Sequence, residues 1–324
     1  MRWSATKGVS NGLGMHLAGT VSKLTLLPWA LLFTAILAAM PSQAQGDAVL
    51  IYPHKESALD SRYDYDWAVL RTALDKTKPR FGPYEMRPST EVMGQARVVL
   101  EMQASAARVN IFARATAINL EQQFIPVRIP IERGLLGYRL LLARSNELPR
   151  LAGVRNPDDL RQFSIGLGKG WIDAAILRAA GFRVVEGDSY DGLFSMLTIG
   201  RFDVFSRSID EAWREYDERH DSHPDIAVEP TLLIYCPLPR YFFLRRDAQG
   251  EQLAKRIETG MEMMVRDGSL QKLFHQFKDA EINRAALGKR RLLRIPNRLL
   301  PPETPLNRPE LWYDPFEKVP AEAK

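Results

Sequence analysis

Apolar residues in the middle of the chain alternate between continuous runs and stripes at helical spacing. The run Ser164–Gly168 is followed by Ile172, Ala175, Ile176 and Ala179, which lie on one face of a helix, and a second stripe of apolar residues begins at Tyr190 and ends before Gly200. Phe202-Asp203-Val204-Phe205 is predicted to be a further buried strand. The pattern predicts strands alternating with helices, and hence an α/β fold with a parallel sheet and crossover helices.

The first half of the chain repeats this alternation. Strands are predicted at Ala48–Tyr52, near Tyr84 and at Val109–Ala113, with helices between them. Two proline-containing segments, around Pro126–Pro130 and Pro237–Pro239, separate this half from the second. Proline restricts the chain to an extended course, so these segments are predicted to cross between two lobes.

The N-terminal 44 residues have the features of an export signal. Arg2, Lys7 and Lys23 precede the apolar run 24–40, and Ser42 and Ala44 are the small residues that signal peptidase requires. We therefore expect cleavage after Ala44 and a periplasmic mature protein. An uncleaved membrane anchor is the alternative, although the run is shorter than the roughly 20 residues of a membrane span.

Composition narrows the possible functions. Removing residues 1–44 takes away three basic and no acidic side chains, so the formal net charge falls from +5 to +2, which does not argue for nucleic-acid binding. The single cysteine, Cys236, excludes an internal disulfide and a cysteine metal cluster. His54 has no partner at metal-ligand spacing. We expect no metal and no cofactor.

Ligands of parallel α/β sheets bind beyond the carboxyl ends of the strands, where several candidate residues lie. Their polar or aromatic side chains and helix-opening glycines suit a small anion, because helix N-termini and arginine forks both favour negative charge. For each arginine, a salt bridge to a nearby acid is the alternative. The candidates are Tyr52, Arg114, Thr116, Arg128, Gly168, Gly170, Trp171 and Arg207.

Three short motifs carry a family resemblance. They are Asp159-Leu160 leading to the glycine turn at 168–170, Gly200-Arg201-Phe202-Asp203-Val204, and Asp267-Gly268-Ser269-Leu270 with Phe274. In this order and at these intervals, residues 48–280 resemble the type 2 periplasmic solute-binding proteins, most closely the branch that serves polar amino-acid uptake. The resemblance implies a monomer of two α/β lobes with parallel or mixed sheets, helices on both faces and a hinge of two strands.

The resemblance also implies domain boundaries. After the signal peptide at 1–44, lobe 1 is expected at 45–141 plus 237–287, and lobe 2 at 142–236. A basic, proline-rich tail is expected at 288–324. Because Trp312, Tyr313 and Phe316 are costly to leave in water, we predict that this tail docks on the folded body.

Two departures bear on the ligand. Relatives usually carry Thr-x-x-Arg before the first crossing, whereas this chain has Thr116-Ala117-Ile118-Asn119. They usually place an aspartate for the ammonium group where this chain has Ser206-Arg207-Ser208. An amino-acid ligand is therefore in doubt, and we expect Arg207 to lie at an open cleft edge and to contact an anion.

The leading hypothesis is a non-enzymatic binding protein that closes on a small polar, anionic ligand and delivers it to a membrane permease. One alternative is a dehydratase-type or lyase-type enzyme on the same scaffold, with Glu56 or Glu121 as the acid or base. Another is a sensing module that presents its ligand-bound form to a membrane receptor.

Overall fold

The structure, a computed structural model, describes residues 48–55, 63–104 and 108–316. The expected signal peptide at 1–44 and the candidate Glu56 lie outside these ranges. In the described residues, no helix is both long enough and apolar enough to cross a membrane.

The first part of the chain forms two small sheets. Parallel strands β1 and β2 make one sheet. Strands β3 and β4 each pair with β11 (Arg240–Leu244), which comes later in the chain, and form an antiparallel sheet in the order β3-β11-β4. The elements are β1 (Ala48–His54), α1 (Asp64–Phe81), β2 (Tyr84–Val92), α2 (Gln95–Gln103), β3 (Ile111–Ala115), α3 (Ile118–Gln123) and β4 (Ile125–Val127).

The second part forms a seven-stranded mixed sheet in the order β12-β10-β5-β8-β6-β7, with β9 paired to β5. Strands β6, β7 and β8 are mutually parallel, as the alternating pattern predicted. The elements are β5 (Tyr138–Arg144), α4 (Leu148–Ala152), α5 (Pro157–Leu160), β6 (Ser164–Gly168), α6 (Ile172–Ala179), β7 (Arg183–Gly187), α7 (Tyr190–Thr198), β8 (Val204–Ser208), α8 (Ile209–Arg219), β9 (Ile226–Val228) and β10 (Leu232–Tyr235).

The chain then returns to the first part through β11 (Arg240–Leu244), α9 (Ala248–Arg266) and α10 (Ser269–Ala285), and ends with β12 (Arg291–Arg294) in the large sheet. All of β5 belongs to the large sheet. If the two parts are defined by their sheets, the chain has therefore made its first crossing before Tyr138, where β5 begins. The division at residue 141 therefore cuts through a strand that lies wholly in one sheet.

Glycines set the boundaries of the central units. Strand β6 ends at Gly168, and α6 and α7 are followed by Gly181 and Gly200 with φ of +84° and +74°. Only glycine adopts this left-handed conformation at little cost. Gly166 has a second role, because the ring of Phe202 occupies the place where a Cβ would stand.

One prediction about the region after Gly200 was wrong. The strand predicted at 202–205 runs instead from Val204 to Ser208, so Arg207 lies within a buried strand rather than after it. Helix α8 follows directly, and a capping box of Ser208 and Glu211 starts it. The position of Arg207 was misjudged because a charged residue was treated as exposed.

More than the two expected hinge strands join the two parts. Helix α10 packs against α8, where Arg284 pairs with both carboxylate oxygens of Asp217 at 2.6 and 2.7 Å. Lys278 of α10 also lies 3.3 Å from Asp210 at the start of α8. A hinge that bends at two strands alone is therefore too simple a description.

The C-terminal tail adds a further connection. Its strand β12 pairs with β10, Asn297 donates to the carbonyl of Pro237 in the second crossing, and Arg308 pairs with Glu262 of α9. Trp312 packs on Gly134, in the first crossing between β4 and β5. The predicted docking is confirmed for Trp312 and Tyr313, which pack against the largest core cluster, whereas Phe316 is 40% exposed.

A cluster of five charged side chains lies where α1, β11, α8 and α10 meet. Arg240 contacts Asp66 and Glu132 at 3.1 and 3.2 Å, and Lys278 lies between Glu132 and Asp210. The cluster thus contains three acidic and two basic side chains. Asp66 is fully buried, and its Oδ1 has no hydrogen-bond partner among the described residues. Burial raises the pKa of Asp66 to about 7, despite the opposing effect of Arg240.

Asp66→Asn tests this electrostatic cost. Because the folded-state pKa of Asp66 is raised from 3.8 to about 7, wild type gains stability from proton uptake at low pH and loses it as pH rises through 7. Chemical denaturation at pH 5 and 8 should show a stability difference between wild type and Asp66→Asn that depends on pH. Asp64→Asn, at an exposed neighbour, should show a constant difference, and a constant difference for both variants would contradict the assignment.

Trp312→Ala tests the docked tail. Removing this half-buried ring should lower the free energy of unfolding by about 1–3 kcal/mol, because its contact with Gly134 and the core is lost. Thermal unfolding should show a reduced Tm for Trp312→Ala and little change for the exposed control, Phe316→Ala. Equal melting curves for wild type and Trp312→Ala would mean that the tail contributes nothing to stability.

Candidate functional site

Strands β1 and β3 bring their carboxyl ends together at a small pocket. Asn110, just before β3, pairs with β1 on both sides: its amide nitrogen donates to Val49 O at 2.7 Å, and its Oδ1 accepts from Ile51 N at 2.8 Å. The pocket has a volume of about 40 Å³, and His54, Lys55, Tyr63, Trp67 and Arg114 are among its lining residues. The centroid of the neighbouring Tyr52 ring lies 4.5 Å from that of the Trp67 ring, so Tyr52 supports the side of the pocket that Trp67 forms.

Two cations line this pocket: Lys55 pairs at 2.7 Å with Asp64, which also lines it, whereas Arg114 has no such acidic partner among the described residues. The Arg114 Nη2 donates to the carbonyl of Gln95 at 2.8 Å, and its guanidinium lies over the Phe112 ring. No carboxylate among the described residues lies within ion-pair distance of it, and burial lowers its pKa. A partly desolvated guanidinium without an acidic partner is suited to receive a carboxylate from a ligand.

Helix α6, which follows strand β6 of the large sheet, begins near the same pocket. Its first residue, Ile172, packs against the hydrophobic cluster that includes Met93, Val98 and Phe112, which also line the Arg114 pocket. The start of α6 therefore lies against a cluster whose members also line the Arg114 pocket.

The glycine turn itself does not present free backbone donors. Gly170, with φ of +76°, donates its N–H to Glu186 at 3.3 Å, and Lys169 pairs with Asp188 at 3.1 Å. The Trp171 ring covers Gly168 so closely that a Cβ there would overlap it. Glu186 thus occupies the place where we expected an external anion, and the turn supplies shape rather than positive charge.

Arg207 does not lie at an open cleft edge, contrary to our expectation. It is 4% exposed, and its Nε and Nη2 donate to the two carboxylate oxygens of Glu215 at 2.7 and 2.6 Å. Glu211 lies 3.1 Å away, and the Trp171 ring covers the guanidinium at 4.8 Å. These acids raise the pKa of Arg207 although burial alone would lower it. The Arg207 guanidinium therefore packs against the Trp171 ring and supports it, while its charge is paired by Glu215 and Glu211.

Thr116 and Arg128 meet at Glu121 rather than at the Arg114 pocket. Thr116 donates to Oε1 of Glu121 at 2.5 Å, and Arg128 donates to Oε2 at 2.7 Å. Both carboxylate oxygens are thus engaged, which leaves Glu121 poorly placed as a general acid or base. The salt-bridge alternative describes Arg128 correctly.

Sequence reasoning missed one charged residue beside the predicted site. Arg139, buried in β5, pairs with Asp173 in the first turn of α6 at 2.6 Å, and its Nη2 also donates to Ser206 O. This pair fixes α6 against the strand that enters the large sheet. Nothing in the spacing indicates it, because the two residues are 34 positions apart and meet only through the sheet order.

The fold was compared with solved structures. A probable amino-acid ABC transporter extracellular-binding protein, YtmK from Bacillus subtilis, matches with a TM-score of 0.50 and 15% identity over 71% of this chain and 97% of that one. The chain has the type 2 periplasmic-binding-protein fold. An ancestral arginine-binding protein bound to arginine matches with a TM-score of 0.48 and 14% identity, over 71% of this chain and 97% of that one.

A histidine kinase sensor domain with similarity to periplasmic binding proteins matches with a TM-score of 0.46 and 13% identity, over 71% of this chain and 95% of that one. No protein-family model and no curated protein sequence matches the chain. At these identities the similarity concerns the fold, so the ligand of this type 2 binding fold must be argued from its own residues.

Arg207→Ala tests whether Arg207 is a structural residue. The substitution leaves Glu215 buried without its partner, so the free energy of unfolding should fall by about 3–5 kcal/mol. Chemical denaturation would measure this, with Lys169→Ala in an exposed pair as a control of nearly unchanged stability. Replacing both partners, as Arg207→Leu with Glu215→Leu, should recover much of the loss. An unaltered stability in Arg207→Ala would contradict the buried pairing.

Proposed function

We propose that this chain is an exported, periplasmic solute-binding protein without enzymatic activity, whose lobes enclose a small polar ligand that carries a carboxylate. The observation that carries this proposal is Arg114, a partly desolvated arginine without an acidic partner among the described residues, in a pocket walled by Trp67 and Tyr63. Its position at adjoining strand ends is where ligands of α/β folds bind.

The ligand's carboxylate pairs with Arg114, and its body lies between the aromatic residues of β1 and α1 on one side and the start of α6 on the other. Tyr52 supports the Trp67 ring, and Trp171, held by Arg207 beneath it, closes the opposite side. Gly168 and Gly170 allow the chain to turn here. In this role Thr116 and Arg128 hold α3 and the first crossing in place and do not contact the ligand.

The proposed binding protein acts as a monomer and delivers its ligand to a membrane permease, or presents it to a receptor. The proposed lobes comprise residues 45–141 plus 237–287 and residues 142–236, with the first boundary moved to precede Tyr138 so that β5 stays in one lobe, and with the tail at 288–324. The contacts of α10 and of the tail make lobe movement smaller than in a clamp joined by two strands.

Arg114→Gln tests the carboxylate contact. L-Arginine and L-glutamine, the ligands named for two solved structures of an arginine-binding protein of this fold, are the first probes, and agmatine is the matched compound without the α-carboxylate. Calorimetric titration should show that Arg114→Gln weakens carboxylate-bearing ligands about tenfold to a hundredfold, because one charge-assisted pair is lost. Native mass spectrometry of the purified protein would identify any retained ligand for the same comparison.

The control is Arg71→Gln on the exposed face of α1, which should leave affinity unchanged. Arg114→Gln should fold normally, since it orphans no carboxylate. A ligand that binds wild type and Arg114→Gln equally would place the site elsewhere. Turnover of a bound ligand would reject the non-enzymatic role.

A further inference from the structure

A second cavity lies between the large sheet and the C-terminal tail. Its volume is about 730 Å³, which is within the range of small-molecule sites. None of its lining residues also lines the Arg114 pocket. It depends on the tail, because Leu306, Pro309 and Trp312 form one of its walls.

The sheet side of this cavity is a row of three residues on neighbouring strands. Tyr235 of β10 is the register partner of Arg294 on β12 and of Tyr138 on β5. The two tyrosine rings lie 4.4 Å apart, and the Arg294 guanidinium lies 5.5 Å from the Tyr235 ring. Tyr235 therefore provides the accessible aromatic face of this row, because Tyr138 is only 3% exposed and packs against it, and Arg294 places a cation at one end.

Arg294 is available for an anion. Among the described residues, no carboxylate lies within ion-pair distance of it, whereas the tail's Arg308 is paired with both Glu262 and Glu310. Tyr138 and Arg133 are held in place by the tail: the Tyr138 hydroxyl donates to Tyr313 O at 3.1 Å, and Arg133 donates to Trp312 O at 3.3 Å. The cavity's shape is thus fixed before any ligand enters.

The wall opposite the tyrosines is apolar. Leu306 is 54% exposed although it lines the cavity, and Pro309 lies beside it. A flat ring between Leu306 and Tyr235 would cover apolar surface of Leu306 that is now in water. Glu310 and Asp314 also line the cavity, so a dianion such as phosphate would meet repulsion that a single carboxylate can avoid by binding at Arg294.

We propose that this cavity is a second ligand site, which binds a small carboxylate carried on a flat ring system. The carboxylate pairs with Arg294, and the ring stacks on Tyr235, which the buried Tyr138 supports, opposite Leu306. The site is independent of the ligand proposed for Arg114. Because its walls come from both crossing strands and from the tail, occupancy also stabilises the tail in its docked position.

The test uses 2-naphthoate as the probe and 2-naphthamide as its neutral match. Wild type should bind 2-naphthoate in calorimetric titration and 2-naphthamide about tenfold more weakly, since one charge-assisted contact is missing. Arg294→Gln should weaken 2-naphthoate by about the same factor and leave 2-naphthamide unchanged. The exposed Arg298→Gln, on the same tail segment, is the matched control and should bind like wild type.

A second variant, Leu306→Asp, should weaken both probes, because it places a charge against the ring. Absence of 2-naphthoate binding at millimolar concentration would overturn the proposal, as would equal affinity in wild type and Arg294→Gln. Loss of binding in Arg114→Gln but not in Arg294→Gln would assign the probe to the first pocket and also reject the second site. None of these outcomes depends on whether Arg114 binds amino acids.

Discussion

Buried ion pairs determine how the parts of this protein fit together. At the junction of α1, β11, α8 and α10, Arg240 and Lys278 neutralise most of the charge of three acids that come from distant parts of the chain. Charges in a protein interior are tolerated only when they are paired, so each partner constrains the placement of the element that carries it. The junction therefore fixes α8 and α10, and through them the large sheet, relative to the first part of the chain.

The same principle explains why the arginines differ in role. Arg207 and Arg128 have acidic partners and act as supports for Trp171 and α3, whereas Arg114 has a backbone carbonyl and an aromatic ring as neighbours. An arginine already satisfied by a carboxylate gains little from a ligand, while a desolvated arginine without one gains a strong contact. Pairing, rather than position at a strand end, therefore separates the candidate binding residue from the structural ones.

The C-terminal tail changes what a two-lobed binding fold can do. It extends the large sheet through β12, contacts the second crossing through Asn297 and the first through Trp312, and encloses a cavity there. Elements that bridge a crossing add contacts that must shift when the lobes move. In this protein the tail thus adds contacts to both crossings.

The sequence by itself determined the alternating α/β order, the glycine turns at 168, 181 and 200, the parallel arrangement of β6, β7 and β8, and the docking of Trp312, because apolar spacing and glycine conformation are local properties. It also proposed Arg114 as a binding residue, but together with Arg128 and Arg207 and with no means of separating the three. Only the tertiary structure decided which charges are paired. The Arg207–Glu215 and Arg139–Asp173 pairs bring residues from separate elements together, and a buried charge cannot be told from an exposed one until its partner is known.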